Sequence, residues 1–258
     1  MRYTAKYFHD NLPEWKRKKD PILSRVFYRP LSFFCSAFFA NVGWTANMVS
    51  YFSAVVALVA CACFVLGAPI AGAVLINVWL LLDCTDGNIA RSVRKERYGD
   101  FADSMSSYIC VGLMFCCMGF SAYQMGGALF APGNPWVILM GALAGSSDSL
   151  MRLLYQKFLN SSVAQGIAVN RSEDPEQQGG INRIRMKVDA YVSLGGFLPL
   201  AVLLASIFGF LDVVVVLWLT YYGLTFLASA LYLVRKTFKA NEADANVESK
   251  SEEANATD

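Results

Sequence analysis

Three aspartates, Asp83, Asp86 and Asp103, stand beside long apolar runs, with Gly87, Ala90, Arg91 and Gly99 at short offsets from them. A carboxylate near the middle of a bilayer costs roughly 2.5–3.5 kcal/mol on insertion scales, so three in one place require a chemical reason. Asp83 and Asp86 are three residues apart and share one face of a helix. Asp103 lies a few residues into the next apolar run, and the short link 91–99 brings the two helix ends together. Two carboxylates from one helix and one from its neighbour can converge on a hard divalent cation, Mg²⁺ or Mn²⁺. Gly87 lets a ligand approach the helix backbone, and Ala90 keeps that face open. Arg91 offers a planar donor suited to a phosphate oxygen. These residue types point to a diphosphate held by a metal and an arginine at a membrane edge. The competing reading, carboxylates that merely pair with the Arg and Lys of the link, explains neither the glycines nor the depth.

The elements that position this cluster are long and apolar. Of 258 residues, 55% are hydrophobic and only 16% charged, against about a quarter charged in soluble domains. The apolar residues come in blocks, which predicts a polytopic membrane protein and excludes a soluble enzyme. The first 30 residues are polar and basic, so no secretory signal is expected there. The seven cysteines (35, 61, 63, 84, 110, 116 and 117) sit mostly inside apolar runs. They read as small packing residues and not as a disulfide framework or a zinc site.

Six membrane spans are expected, at about 44–66, 70–90, 100–123, 136–157, 191–210 and 213–234. The chain therefore reads as all-α: a six-helix membrane domain over 44–236, after a juxtamembrane amphipathic segment at 1–43. An acidic tail at 237–258, low in aromatics, reads as disordered. The apolar run 31–40 is too short to cross a bilayer. It reads as an interfacial helix held by basic residues against anionic headgroups, with a solvated basic arm as the alternative. The 158–188 connection is longer than a hairpin needs and reads as either a lid or a linker.

Charge placement predicts the orientation. Of the 22 Lys and Arg, 21 precede the first span, lie between the second and third, fall at or after the end of the fourth, or follow the sixth. The last, Arg152, sits late in the fourth span, and the connections near 67, 126 and 211 carry none. The positive-inside rule puts both termini and the carboxylate cluster on the cytoplasmic side.

The run Asp83-x-x-Asp86-Gly87-x-x-Ala90-Arg91, followed by Gly99-x-x-x-Asp103, resembles the signature of the CDP-alcohol phosphatidyltransferases. The resemblance extends to the layout of residues 1–236, because members are integral membrane enzymes with six transmembrane helices and an N-terminal juxtamembrane helix. It implies that Asp83, Asp86 and Asp103 hold divalent metals and CDP, and that Gly87, Ala90, Arg91 and Gly99 line the nucleotide site. It also implies a CDP-linked lipid or alcohol as donor, CDP-diacylglycerol by default, with an alcohol acceptor and release of CMP. The implied setting is phospholipid or polar-lipid synthesis by a homodimer in a membrane such as the bacterial inner membrane. Nucleic acid is not an expected partner.

One position departs from the family pattern, which ends Asp-x-x-x-Asp. Here Ser107 stands in the last place, where the family carries the residue expected to act as general base. Serine is a poor proton acceptor near neutral pH, and base catalysis contributes typically 10²–10⁴-fold. Three explanations are open: another carboxylate supplies the base, the metal site is rearranged around Ser107, or the protein is inactive. Asp148 is the candidate replacement, at a depth similar to that of Ser107 in the fourth span. Asp148, Arg152 and Gln156 recur every four residues and form one polar stripe. Family members often use basic residues on this inner half to bind the acceptor, which nominates Arg152 and Lys157. The alternative has Arg152 pairing with Asp148, which would compete with base catalysis. A catalytically impaired member that binds a CDP-lipid as sensor, scaffold or partner subunit is the second functional reading. A transporter is a weaker third, since no inverted repeat is evident.

Overall fold

The computed structural model describes residues 2–164, 191–192 and 194–255, and among them the only regular secondary structure is helical. Two short helices, α1 (Ala5–Asp10) and α2 (Glu14–Lys19), lead into a π-helical turn at Ser24–Tyr28 that continues as α3 (Arg29–Val42). Then follow α4 (Ala46–Val65), α5 (Pro69–Ser92), α6 (Gly99–Met125), α7 (Trp136–Ala164), α8 (Leu198–Phe208) and α9 (Leu211–Asn255). Five of these, α4, α5, α6, α7 and α9 to Asn241, are long and apolar enough to cross a membrane.

These five coincide with five of the six expected spans. Within the expected span at 191–210 the described residues hold a helical pair at 191–192 and α8, which has 11 residues. At ~1.5 Å per residue it falls well short of a ~30 Å hydrocarbon core. Residues 165–190, most of the 158–188 connection, lie outside the described residues. Helix α9 continues past residue 237 to Asn255.

The helix ends follow from local chemistry. Gly43, at φ 89°, closes α3 in a left-handed conformation that a side chain would disfavour. Thr45 caps α4 by accepting from the Met48 N–H at 3.3 Å. Pro69 opens α5, where its missing N–H is no loss.

Close helix approach builds the bundle. At Gly72 of α5 a Cβ would meet the Phe64 ring of α4 at 2.9 Å. Gly119 sits against the Val137 carbonyl, Gly141 against the Phe115 carbonyl, and Gly145 against the Gly112 carbonyl. These small residues let the α6 and α7 backbones touch, the packing that lipid-embedded helices favour. Helix α9 packs on α7 and α6, and both α8 and α3 pack on α5.

Asp212, fully buried at the start of α9, ties the far end of the bundle together. It accepts from the N–H groups of Ala128, Leu129 and Phe130 at 3.1, 2.6 and 2.9 Å. Gly127 lies so close to this carboxylate that no Cβ fits there.

Candidate active site

The start of α4, the end of α5 and the start of α6 meet at the basic end of the bundle, and the three aspartates lie there. Asp86 is buried and accepts from Ser50 Oγ of α4 at 2.6 Å. The Asp83 and Asp103 side chains are within hydrogen-bonding reach of each other, and Asp86 is close enough to feel both charges. Asp103 is exposed, and the rotation of α6 that turns it toward Asp83 is set one turn deeper. There Ser106 Oγ bonds Ser53 Oγ of α4 at 2.7 Å and accepts from Trp79 Nε1 of α5 at 2.9 Å. Ser107 is half-buried on the same face as Asp103.

Like charges this close are mutually unfavourable unless a proton or a cation lies between them. Among the described residues no three His, Cys, Asp or Glu side chains stand at metal-ligand spacing. The donor set is all carboxylate oxygen, the type a hard divalent cation prefers. In that chemical sense the residues fit such an ion.

Gly87 has a use that the spacing alone does not reveal. The Arg91 guanidinium folds back over it, and a Cβ at 87 would meet Arg91 Nη2 at 2.8 Å. Arg91 is anchored there by donating to Asn88 Oδ1 at 3.3 Å. Ala90 is half-buried one turn beyond Asp86. Gly99 opens α6 and faces Asn47 Oδ1 of α4 without crowding, at 3.7 Å from its Cβ position. Asn47 was not singled out by sequence reasoning. Its backbone N–H donates to Glu96 Oε2 at 2.9 Å, tying the link to α4, while its Oδ1 is enclosed without a partner among the described residues.

The N-terminal segment packs on the back of the motif helix. Arg29, 7% exposed at the start of α3, donates to both oxygens of Asp20, at 2.6 and 3.2 Å. Its Nη1 also reaches α5, donating to the Cys84 carbonyl at 3.4 Å and to Asn88 Oδ1 at 3.2 Å. Asn88 in turn donates to Ser32 Oγ and Ser36 Oγ of α3, and Tyr7 of α1 donates to the Ser92 carbonyl. Burial works against the charged form of Asp20. The hydrogen bonds and charge of Arg29, with Lys16 beside them, outweigh it and hold the carboxyl below its ordinary value. This network carries the juxtamembrane segment into the site, and no motif signal marks it.

Asp148 is 2% exposed and accepts from Arg152 Nε at 2.7 Å. Of the two readings of this stripe, the i,i+4 ion pair is present. Arg152 also lies over the Tyr108 ring at 6.0 Å. On α6, Tyr108 is turned about 140° from Asp103, so the pair addresses a different face from the carboxylate cluster. Lys157 is exposed and points about 140° away from Arg152 around α7. The structure thus assembles Asp83, Asp86, Asp103, Gly87 and Arg91 at one place, and leaves Asp148, Arg152 and Lys157 on the neighbouring helix.

A family model described as CDP-alcohol phosphatidyltransferase matches residues 43–218. A search of curated proteins found no match.

Proposed function

The chain belongs to the CDP-alcohol phosphatidyltransferase family, and from that premise we propose that it moves a phosphatidyl group from CDP-diacylglycerol to an alcohol, releasing CMP. Members of the family act on CDP-alcohols and alcohol acceptors, and they generally depend on a divalent metal. The donor, the lipid-synthetic role, the dimer and the cytoplasmic placement of the site are part of this proposal, as is the 44–236 domain. What supports it is the family match over residues 43–218, with Asp83, Asp86 and Asp103 near one another beside an arginine seated over a glycine.

Asp83, Asp86 and Asp103 would hold Mg²⁺ or Mn²⁺, which when bound supplies positive charge to the diphosphate. Arg91, steadied by Asn88, donates to a phosphate oxygen of CDP. The helix surface at Ala90 and Gly99 leaves room for the nucleotide, while Gly87 leaves room for the Arg91 guanidinium that would meet its phosphate. The acceptor oxygen forms a bond to the phosphorus carrying diacylglycerol, the bond to CMP breaks, and the acceptor proton must be taken up. Arg152 is the proposed contact to the polar acceptor; Lys157, exposed about 140° around α7 from it, does not point to the same ligand. Asp148 is the proposed proton acceptor, a role that requires Arg152 to turn from it toward an acceptor phosphate.

A second reading is favoured by one observation: Ser107 lacks a carboxylate and Asp148 is engaged by Arg152. On that reading the chain binds a CDP-lipid with impaired turnover, as sensor, scaffold or partner subunit. Purified protein with labelled CDP-diacylglycerol, Mg²⁺ or Mn²⁺ and a panel of alcohols separates the two. Acceptor-dependent CMP release supports the enzyme, and binding without release across the panel supports the second reading.

A further inference from the structure

A cavity of about 330 Å³ opens where the segment before α1, the end of α3, the start of α4 and the end of α5 meet. It contains none of Asp83, Asp86, Asp103 or Arg91. Its wall carries two arginines, Arg2 and Arg94, two aromatics, Tyr3 and Trp44, and the apolar side chains of Ile89 and Val93. No Asp or Glu lines it. Neither arginine is in an ion pair among the described residues.

The wall is held in place. Asn41 Oδ1 accepts from the N–H groups of Arg2 and Tyr3, at 2.8 and 3.1 Å. Asn41 Nδ2 donates to the carbonyls of Tyr3 and Ala37, both at 2.7 Å. The Arg2 guanidinium lies over the Tyr3 ring at 5.4 Å.

We propose that this cavity binds the phosphate headgroup of an anionic phospholipid from the surrounding bilayer. Two guanidinium groups in a wall without carboxylates call for an anion, and their planar forks match phosphate oxygens. The volume is at the small end of ligand sites and suits a headgroup rather than a whole lipid. Trp44 stands two residues before the first spanning helix, at the level where tryptophans meet headgroups, and Ile89 and Val93 give an apolar side to the glycerol. A phosphate could equally come from a soluble nucleotide, so the test separates the two sources.

The full-length protein, purified in a neutral detergent, is offered dioleoyl phosphatidylglycerol or dioleoyl phosphatidylcholine, and retained lipid is measured by native mass spectrometry. Phosphatidylglycerol should be retained over phosphatidylcholine, and CDP should not displace it. Arg94→Glu, on an exposed residue, should weaken retention by about tenfold or more, and Arg2→Gln with Arg94→Gln should do the same. Lys236→Gln with Lys239→Gln removes the same charge elsewhere and should change nothing. Equal retention of both lipids, or unchanged retention in the Arg94→Glu protein, would overturn the proposal. Displacement of phosphatidylglycerol by CDP would also overturn it, by assigning the cavity to the nucleotide. Lipid retention is read without turnover, so this result and the activity assay fail independently.

Discussion

Arg29 Nη1 donates to Asn88 Oδ1 at 3.2 Å, and the same oxygen accepts from Arg91 at 3.3 Å. One amide oxygen therefore links the juxtamembrane helix to the arginine proposed to hold the CDP phosphate. Removing an outer partner of a ligand-binding residue typically costs roughly 10–100-fold in affinity or activity. Asn88→Ala should lower kcat/KM for the donor in that range while leaving the acceptor KM nearly unchanged. Steady-state kinetics with donor and acceptor varied separately checks the split.

Asp20 gives this network a pH signature. Its carboxyl is held below the ordinary aspartate value by Arg29 and Lys16, despite burial. A depressed value means the folded state binds its proton less readily than the unfolded chain does. Its contribution to stability is therefore fully present above the usual pKa of about 3.9 and fades as pH falls through the folded value. Thermal unfolding of the solubilised protein should show wild type above Asp20→Asn at pH 6. The gap should close as the buffer is taken toward the acid end.

Gly87 and Arg91 form a second testable pair. Because a Cβ at 87 would meet Arg91 Nη2 at 2.8 Å, Gly87→Ala should push the guanidinium off its seat. CDP binding, followed by titration calorimetry, should weaken by about tenfold, the cost of one charge-assisted hydrogen bond. Gly99→Ala meets no protein atom closer than 3.7 Å and should leave the fold unchanged, so a loss of CDP binding there reports the space that the nucleotide needs.

Much of this site was legible in the sequence, for reasons that can be named. Asp83 and Asp86 share a face by their spacing alone, and a short link must bring Asp103 to them. The Asp148–Arg152 pair is an i,i+4 contact within one helix, so it could be anticipated as an alternative. The Arg29–Asn88 bond joins residues 59 apart. It depends on how α3 lies against α5, which no local pattern encodes. Asp212 carries no motif signal, and only the folding back of loop 127–130 brings it three further N–H donors beside that of Val213. The expected span at 191–210 is described only in part, and within it hydropathy marks the apolar stretch without marking where α8 starts.

Asp212 predicts a stability effect remote from the chemistry. Asp212→Ala would take the shared acceptor from the part-buried N–H groups of Ala128, Leu129 and Phe130, at about 0.5–1.5 kcal/mol each. The melting temperature in detergent should fall markedly, while CDP binding by the folded fraction should be unchanged. Gly127→Ala should destabilise as well, since its Cβ would collide with the carboxylate.

The role of Asp148 is decided by two substitutions. If it takes the acceptor proton, Asp148→Asn should reduce turnover by about 10²–10⁴-fold and spare CDP-lipid binding. A near-normal rate would leave it as the partner of Arg152 alone. On the same reading Ser107→Asp should bring no large gain, and a large gain would mark the wild-type site as degenerate.

The most direct measurement is CMP release by the purified protein in vesicles containing labelled CDP-diacylglycerol, with and without an alcohol panel. Release that requires an acceptor and a divalent cation, and is lost in Asp86→Asn, is the predicted result. Donor binding that persists with no CMP released for any alcohol, at any concentration of Mg²⁺ or Mn²⁺, would contradict it.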